Sequence, residues 1–237
     1  MKKHRFKDLI LFENADFLAI NKPHGISSLE DRAEDTNILA MAKNLFPDVQ
    51  VCHRLDKDTS GILVLAKNPE AYRHLSLQFQ NRNVEKIYHA IVHGRTDFKN
   101  YMIDLPLLVK NHGIVKWDTK SGKESNTLFT TLQNFKTFSF VECKPVTGRR
   151  HQIRVHLKYG KHPIVADTMY DGEFVYLSQI KKKYKQSQRT EKPLINRMAL
   201  HAYSISFKTL DGKVEKIEAP YPKDYSVLLK QLEKFVK

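Results

Sequence analysis

An α+β fold, built on a mixed and largely antiparallel β-sheet with helices packed around it, is what this 237-residue sequence predicts. Three observations carry that prediction. Lys86 to Val92 alternates in period two, with Ile87, His89 and Ile91 facing one way and Tyr88, Ala90 and Val92 the other. Ile62 to Ala66 is a short continuous apolar run, which reads as a strand buried on both faces. Helical spacing is confined to a few segments scattered among many strand-like ones. No internal repeat and no composition break divides the chain, so a single domain over residues 1–237 is expected.

The elements follow in order. Leu9 to Asn21 reads as two short strands broken at Glu13-Asn14-Ala15-Asp16, a hairpin-like signal, and Lys22-Pro23-His24-Gly25 stops the second. Thr36 to Asn44 has helical spacing and ends before Phe46-Pro47. Asn68-Pro69-Glu70 opens a helix reaching Gln80, since Pro suits a first turn. Turns are read at Asn111-His112-Gly113 and Lys120-Ser121-Gly122, with β pattern continuing through Leu128-Phe129 and Phe138 to Val141. Arg149 to Tyr159 returns to helical spacing, with Ile153 and Leu157 on one face and Arg150, Arg154 and Lys158 on another. Lys181 to Lys192 is polar and basic without apolar period and reads as a mobile loop, either a solvated linker or an RNA-contacting arm. Arg197 to Phe207 and Val214 to Ala219 close the sheet, and Val227 to Val236 forms a terminal helix.

The formal charge of +14, from 40 Lys+Arg against 26 Asp+Glu, favours a polyanionic partner, nucleic acid first. No basic amphipathic helix with a strong apolar face argues for a membrane surface. Cys52 and Cys143 form no CxxC pair and the 11 histidines are scattered, so neither a metal site nor a disulfide framework is expected. The basic N-terminus is followed by no apolar stretch long enough for a signal peptide or a span, which points to the cytoplasm.

Elimination narrows the chemistry. His53-Arg54-Leu55-Asp56 has the form of a kinase catalytic loop, but no Gly-rich loop and no Asp-Phe-Gly accompany it. P-loop, dinucleotide and zinc-deaminase signatures are absent. Asp56 and Asp58 are the only acids in this motif, too few for the clustered carboxylates of a magnesium-dependent nuclease. On local chemistry, Asp56 before Thr59-Ser60-Gly61 is either a turn cap or a carboxylate held rigidly at a strand end for catalysis.

A resemblance carried by the catalytic run and five further motifs decides between these readings. His53-Arg54-Leu55-Asp56-Lys57-Asp58-Thr59-Ser60-Gly61 resembles the catalytic motif of the RluA-type RNA pseudouridine synthases. Leu11 to Gly25 resembles the family's first motif, and Glu85-Lys86-Ile87-Tyr88-His89-Ala90 its Lys-x-Tyr-x-Ala strand. Thr147 to Leu157 resembles the arginine motif and Gly160 to Asp167, with Tyr170, the turn after it. Leu200-His201-Ala202-Tyr203 with Ser206-Phe207 resembles the late strand. Departures are His24 and Arg150, where small or polar residues are common, and Ala166, where Gly is common.

The resemblance implies the pseudouridine synthase fold and an isomerase: uridine in RNA is detached at N1 and rejoined through C5, with no cofactor and no metal. It implies Asp56 as the catalytic carboxylate, Tyr88 as the active-site aromatic on which the flipped base stacks, and Arg154 as the cation that holds Asp56 ionised. Arg54, Arg149, Arg150 and Lys86 are assigned to RNA contact, Asp58 to capping the turn, His53 to structure, and Lys22 and Lys67 to phosphate or the surface. With the first motif beginning near Leu11, an S4-like N-terminal RNA-binding domain is not expected. The partner is then rRNA, tRNA or both, with no obligate protein partner and a monomer as the default. The alternative is an inactive RNA-binding or chaperone protein of the same fold.

Overall fold

The computed structural model describes residues 5–30, 36–110, 113–182, 184 and 190–235. In chain order the strands and helices are β1 (Ile10–Glu13), β2 (Phe17–Lys22), α1 (Ile38–Lys43), β3 (Gln50–Val51), β4 (Ser60–Ala66), α2 (Pro69–Gln80), β5 (Glu85–His93), β6 (Tyr101–Asp104), β7 (Leu107–Val109), β8 (Val115–Trp117), β9 (Asn126–Asn134), β10 (Phe138–Pro145), α3 (Gln152–Tyr159), α4 (Leu177–Ile180), β11 (Leu200–Lys208), β12 (Val214–Glu218) and α5 (Lys223–Lys234). The expected fold class is the one observed. The chain forms two compact units, Met1–Ile87 with His201–Pro220, and Tyr88–Leu200 with Tyr221–Lys237.

In the first unit the strands run β1-β2-β4-β11, with β3 on β4 and β12 on β11. All pairs are antiparallel except β4 with β11, which is parallel. The predicted apolar run is the centre of β4, and every residue of that strand is buried. Helix α2 begins where the sequence places it, with the Asn68 side chain accepting from the Ala71 N–H at 2.8 Å and Pro69 in the first turn. Its Ala71 and Leu75 pack with Phe17, Ile62, Val64, Ile205 and Phe207 into one core. Between β1 and β2, the Asn14 side chain accepts from the N–H groups of Asp16 and Phe17, which closes the predicted hairpin turn.

In the second unit β5-β10-β9-β6 is antiparallel throughout, and β7 and β8 form a separate two-stranded sheet. The core runs from Ile91, Phe129 and Val141 to Ile153 and Leu157 of α3 and to Tyr225 and Leu228 of α5. Two expectations need correction. The arginine helix starts at Gln152 and not at Arg149, because the Gln152 side chain accepts from the Arg149 N–H (2.9 Å) and the Thr147 hydroxyl (2.7 Å), holding 147–151 as a turn. Within α3, Gln152 through Leu157, Arg154 included, are all buried. The terminal helix begins a turn earlier than expected, at Lys223. Most of the predicted basic loop at 181–192, and Asn111-His112 of a predicted turn, lie outside the described residues.

Candidate active site

Asp56 sits in the loop that leads into β4, and the backbone on each side of it is tied down. The buried Ser28 hydroxyl both donates to the Leu55 carbonyl (3.0 Å) and accepts from the Leu55 N–H (3.1 Å). The Lys57 carbonyl accepts from the Gly25 N–H (2.8 Å) and from the Lys22 ammonium (3.0 Å). Lys22 is fully buried, and its Nζ also donates to the carbonyls of Pro23 and Ile26, each at 2.9 Å. Three acceptors match the three protons of an ammonium. The assignment of Lys22 to phosphate or the surface is therefore corrected: it cross-links the first motif to the Asp56 loop. The Thr59 N–H donates to the Asp56 carbonyl at 3.1 Å and closes the turn. Asp58 is exposed, and among the described residues its carboxylate makes no hydrogen bond, so the turn is closed by backbone and not by an Asp58 cap. The Asp56 side chain is half-buried.

Gly61 explains why this loop ends in glycine. Its φ is +115°, and a Cβ there would lie 2.1 Å from the Ala202 carbonyl oxygen on β11. Only a residue without Cβ lets the two parallel strands approach so closely at the point where the loop enters the sheet. Beside it, the Ser60 hydroxyl and His201 Nδ1 are 2.9 Å apart in the buried layer.

His53, as expected, is structural. Its Nε2 accepts from the Val64 N–H at 3.1 Å, and its ring lies 4.8 Å from that of Phe79. Burial first, and then the charge of Lys86, push its pKa down to about 3. A permanently neutral ring that already spends its lone pair on a backbone N–H has nothing to offer as a proton relay near neutrality. Lys86 is half-buried with its Nζ 5.9 Å from the Phe79 ring centroid, and burial lowers its pKa. Arg54 is exposed and has no ion pair or hydrogen bond among the described residues. Lys67 is also reassigned: its ammonium holds Glu13 and the Asn14 carbonyl, each at 2.9 Å, and ties the end of β4 to the β1–β2 turn.

In the second unit Arg154 is 8% exposed and makes a two-pronged ion pair with Asp167, Nε to Oδ2 at 2.7 Å and Nη2 to Oδ1 at 2.6 Å. Its guanidinium also lies 4.8 Å from the centroid of the Tyr170 ring. The Tyr170 hydroxyl in turn accepts from the Val115 N–H (3.0 Å) and meets His151 Nδ1 at 2.8 Å. A guanidinium gripped along one edge and covered on one face has a fixed direction. Asp167 and Tyr170 thus have definite roles, although the motif match gave them none. Ala166, the family departure, has φ +60°, a left-handed conformation that explains why Gly is common there. Its methyl is buried in the core, which offsets part of the strain of about 1–2 kcal/mol that a Cβ brings in this region.

Arg149 and Arg150 are exposed in the turn before α3. Arg149 Nε donates to the Glu124 carbonyl at 3.0 Å. Tyr88 is half-buried on β5, paired in register with Cys143 of β10 and packed against the core of its unit. His53, Arg54, Asp56 and Lys86 thus fall in the first unit, and Tyr88, Arg149, Arg150 and Arg154 in the second, the arginines on α3 and its leading turn.

A family model described as RNA pseudouridylate synthase matches residues 16–159. The chain is 34% identical over 210 residues to ribosomal large subunit pseudouridine synthase C of Vibrio vulnificus, covering 87% of this chain and 63% of that protein. It is 38% identical over 208 residues to the dual-specificity RNA pseudouridine synthase RluA of Vibrio parahaemolyticus, covering 84% and 76%. Among solved structures, human RNA pseudouridylate synthase domain containing 4 superposes with a TM-score of 0.76 at 25% identity, covering 96% of this chain and 95% of that one. The matched span takes in the Asp56 loop, the Tyr88 strand and the whole of the Arg154 helix, so the sequence match, the fold and the motif order agree: this chain belongs to the RNA pseudouridylate synthase family.

Proposed function

We propose that this protein converts uridine to pseudouridine in RNA, with Asp56 as the reacting carboxylate. The observation that carries the reading is the bracing of the Asp56 loop. Buried Lys22 of the first motif and buried Ser28 just beyond it hold the backbone immediately after and before Asp56, leaving its half-buried side chain aimed by a rigid support. In the reaction the N1–C1′ bond breaks, a C5–C1′ bond forms, C5 loses its proton to solvent and N1 gains one. Tyr88 stacks on the base once it has left its helix, at about 1–3 kcal/mol per base. Arg154, its direction fixed by Asp167 and Tyr170 within its own unit, is the cation that the motif resemblance assigns to the Asp56 carboxylate. Arg54, Arg149, Arg150 and Lys86 contact RNA; Arg54 is exposed beside Asp56 with no partner to give up among the described residues.

The substrate is rRNA, tRNA or both. The relatives named above act, by their names, on the large ribosomal subunit or with dual specificity. The protein works in the cytoplasm as a monomer without an obligate partner. Tritium release from RNA labelled at uridine C5 tests the chemistry: release by the wild type and none by Asp56→Asn is the expected pair. Silence from the wild type would leave the inactive RNA-binding reading in its place. Mapping pseudouridines in total RNA from cells with and without the protein identifies the target.

A further inference from the structure

The chain contains one tryptophan, and it is not in the core. Trp117 ends strand β8 with 44% of its surface exposed. Tyr159, at the end of α3 and 40% exposed, meets it edge to face, with ring centroids 5.6 Å apart at 74°. The β7–β8 hairpin is anchored beneath them. Leu107 and Val115 pack against Val155 and Tyr170, and the Val115 N–H is bound to the Tyr170 hydroxyl. An aromatic pair of this kind is braced from below and open above.

The charge around the pair is one-sided. From Leu107 to Lys123 there are four lysines and one acid, Asp118. Asp118 is committed to the Lys120 and Ser121 N–H groups, at 3.0 and 2.8 Å, and to Lys110 at 3.7 Å. Lys116, Lys120 and Lys123 are exposed and have no acidic partner among the described residues. An exposed indole on a hairpin whose exposed lysines have no acidic partner suits a ligand with flat apolar faces strung on a polyanion. Unpaired RNA has that chemistry, with bases for the indole and phosphates for the lysines.

We propose that the β7–β8 hairpin is a docking arm for single-stranded RNA, in which Trp117 stacks on an unpaired base and Lys116, Lys120 and Lys123 take the flanking phosphates. This deepens the RNA-modifying reading and rests on it for the class of partner. The arm lies outside the residues assigned to the chemistry, so its work is to hold sequence flanking the target and to contribute to target choice.

The single tryptophan makes the test direct. An end-labelled, unstructured RNA of roughly 12 nucleotides is titrated into the full chain, following anisotropy of the label and tryptophan fluorescence together. The arm predicts quenching of Trp117 that tracks the anisotropy curve. Trp117→Ala weakens binding about tenfold, whereas Trp117→Phe retains most of it. Charge reversal of Lys116 and Lys120 flattens the plot of log affinity against log salt, since about 0.7 of a counterion is released for each phosphate contact on a single strand. Binding reported by the label with unquenched tryptophan overturns the arm and leaves the RNA reading standing. So does a Trp117→Ala variant that melts cooperatively and binds as tightly as the wild type. Quenching without tritium release upholds the arm and overturns the isomerase reading instead. No binding at any salt overturns the arm.

Discussion

The ammonium of Lys22 donates to the carbonyl oxygen of Lys57, the residue after Asp56, at 3.0 Å. The cation is fully buried, and backbone carbonyls of Pro23 and Ile26 take its other two protons. Ser28 does the equivalent for Leu55 on the other side of Asp56. A buried lysine and a buried serine thus supply rigidity to the Asp56 loop from beneath, while the Asp56 side chain itself stays half-buried.

Lys22→Met tests that support. It keeps the apolar stem and removes the donor, leaving the Pro23 and Ile26 carbonyls short of a partner at roughly 1–3 kcal/mol each before relaxation, while the Lys57 carbonyl keeps the Gly25 N–H. A loss of about 3 kcal/mol in urea denaturation is expected, together with a fall in tritium release per folded molecule of more than about tenfold. A variant with wild-type stability and wild-type release would remove Lys22 from the support of the loop.

Gly61→Ala acts on the same loop at its exit. The new methyl would stand 2.1 Å from the Ala202 carbonyl oxygen at a φ of +115°. Backbone on both strands must move, because no flexible side chain is there to yield. The expected outcome is a loss of at least about 3 kcal/mol, read as a lowered unfolding midpoint or as insoluble protein. Retention of the wild-type midpoint would mean the parallel β4–β11 contact is looser than it is drawn here.

The legible and illegible parts of this molecule divide along a physical line. Helix α2 was readable to the residue because Asn68, Pro69 and the Leu75–Phe79 spacing are local signals. Strand β4 was readable because nothing but a doubly buried strand uses so short an unbroken apolar run before a helix cap. The start of α3 was not, since the turn at 147–151 is made by the Gln152 side chain and by His151 at φ +53°, neither of which leaves a periodic trace. Lys22, Lys67 and Asp58 were misjudged for one reason: charged residues are assigned to the surface or to local caps unless a partner distant in sequence is known, and Lys57, Glu13 and the backbone of Thr59 became visible only in three dimensions. Asp167 was the one role within reach. A buried arginine needs an acid, and Asp167 is the one acid in the Gly160 to Asp167 turn that the motif already included.

Asp167→Asn breaks the grip on Arg154 while nearly preserving volume. It leaves a buried guanidinium without its carboxylate, a change that costs about 3–5 kcal/mol in comparable pairs. Arg154→Lys keeps the charge but loses the fork and the contact with the Tyr170 face. Each single variant is expected to destabilise, and the double variant by less than the sum, with a coupling of about 2 kcal/mol in a double-mutant cycle. Additive effects would show that Asp167 and Arg154 act independently of one another.

Desolvation of two histidines, half-buried His53 and fully buried His156, shapes the acid side of the stability profile. Burial, with a smaller push from Lys86, holds His53 at a pKa of about 3, and burial holds His156 at about 4 despite help from the Leu105 carbonyl and Asp104. His156 donates through Nε2 to the Leu105 carbonyl (3.1 Å), and its Nδ1 meets the Thr127 hydroxyl (3.0 Å), an arrangement that suits the neutral ring. Both folded values lie below the unfolded value of 6.5, so near pH 5.5 the unfolded chain binds protons that the folded chain refuses. Stability contributed by the two rings is complete above pH 6.5 and is lost through both together as pH falls, the loss through His156 ending near pH 4 and that through His53 near pH 3. Each ring contributes a slope approaching about 1.4 kcal/mol per pH unit once the unfolded chain is protonated. Between pH 6.5 and 5 most carboxylates remain ionised, so this window isolates the histidines. Urea midpoints should decline steadily across it, while the ring-proton NMR signals of His53 and His156 stay at their neutral positions. Signals that move with a midpoint near 6.5 would show that both rings accept protons in the folded state, and the decline would then need another cause.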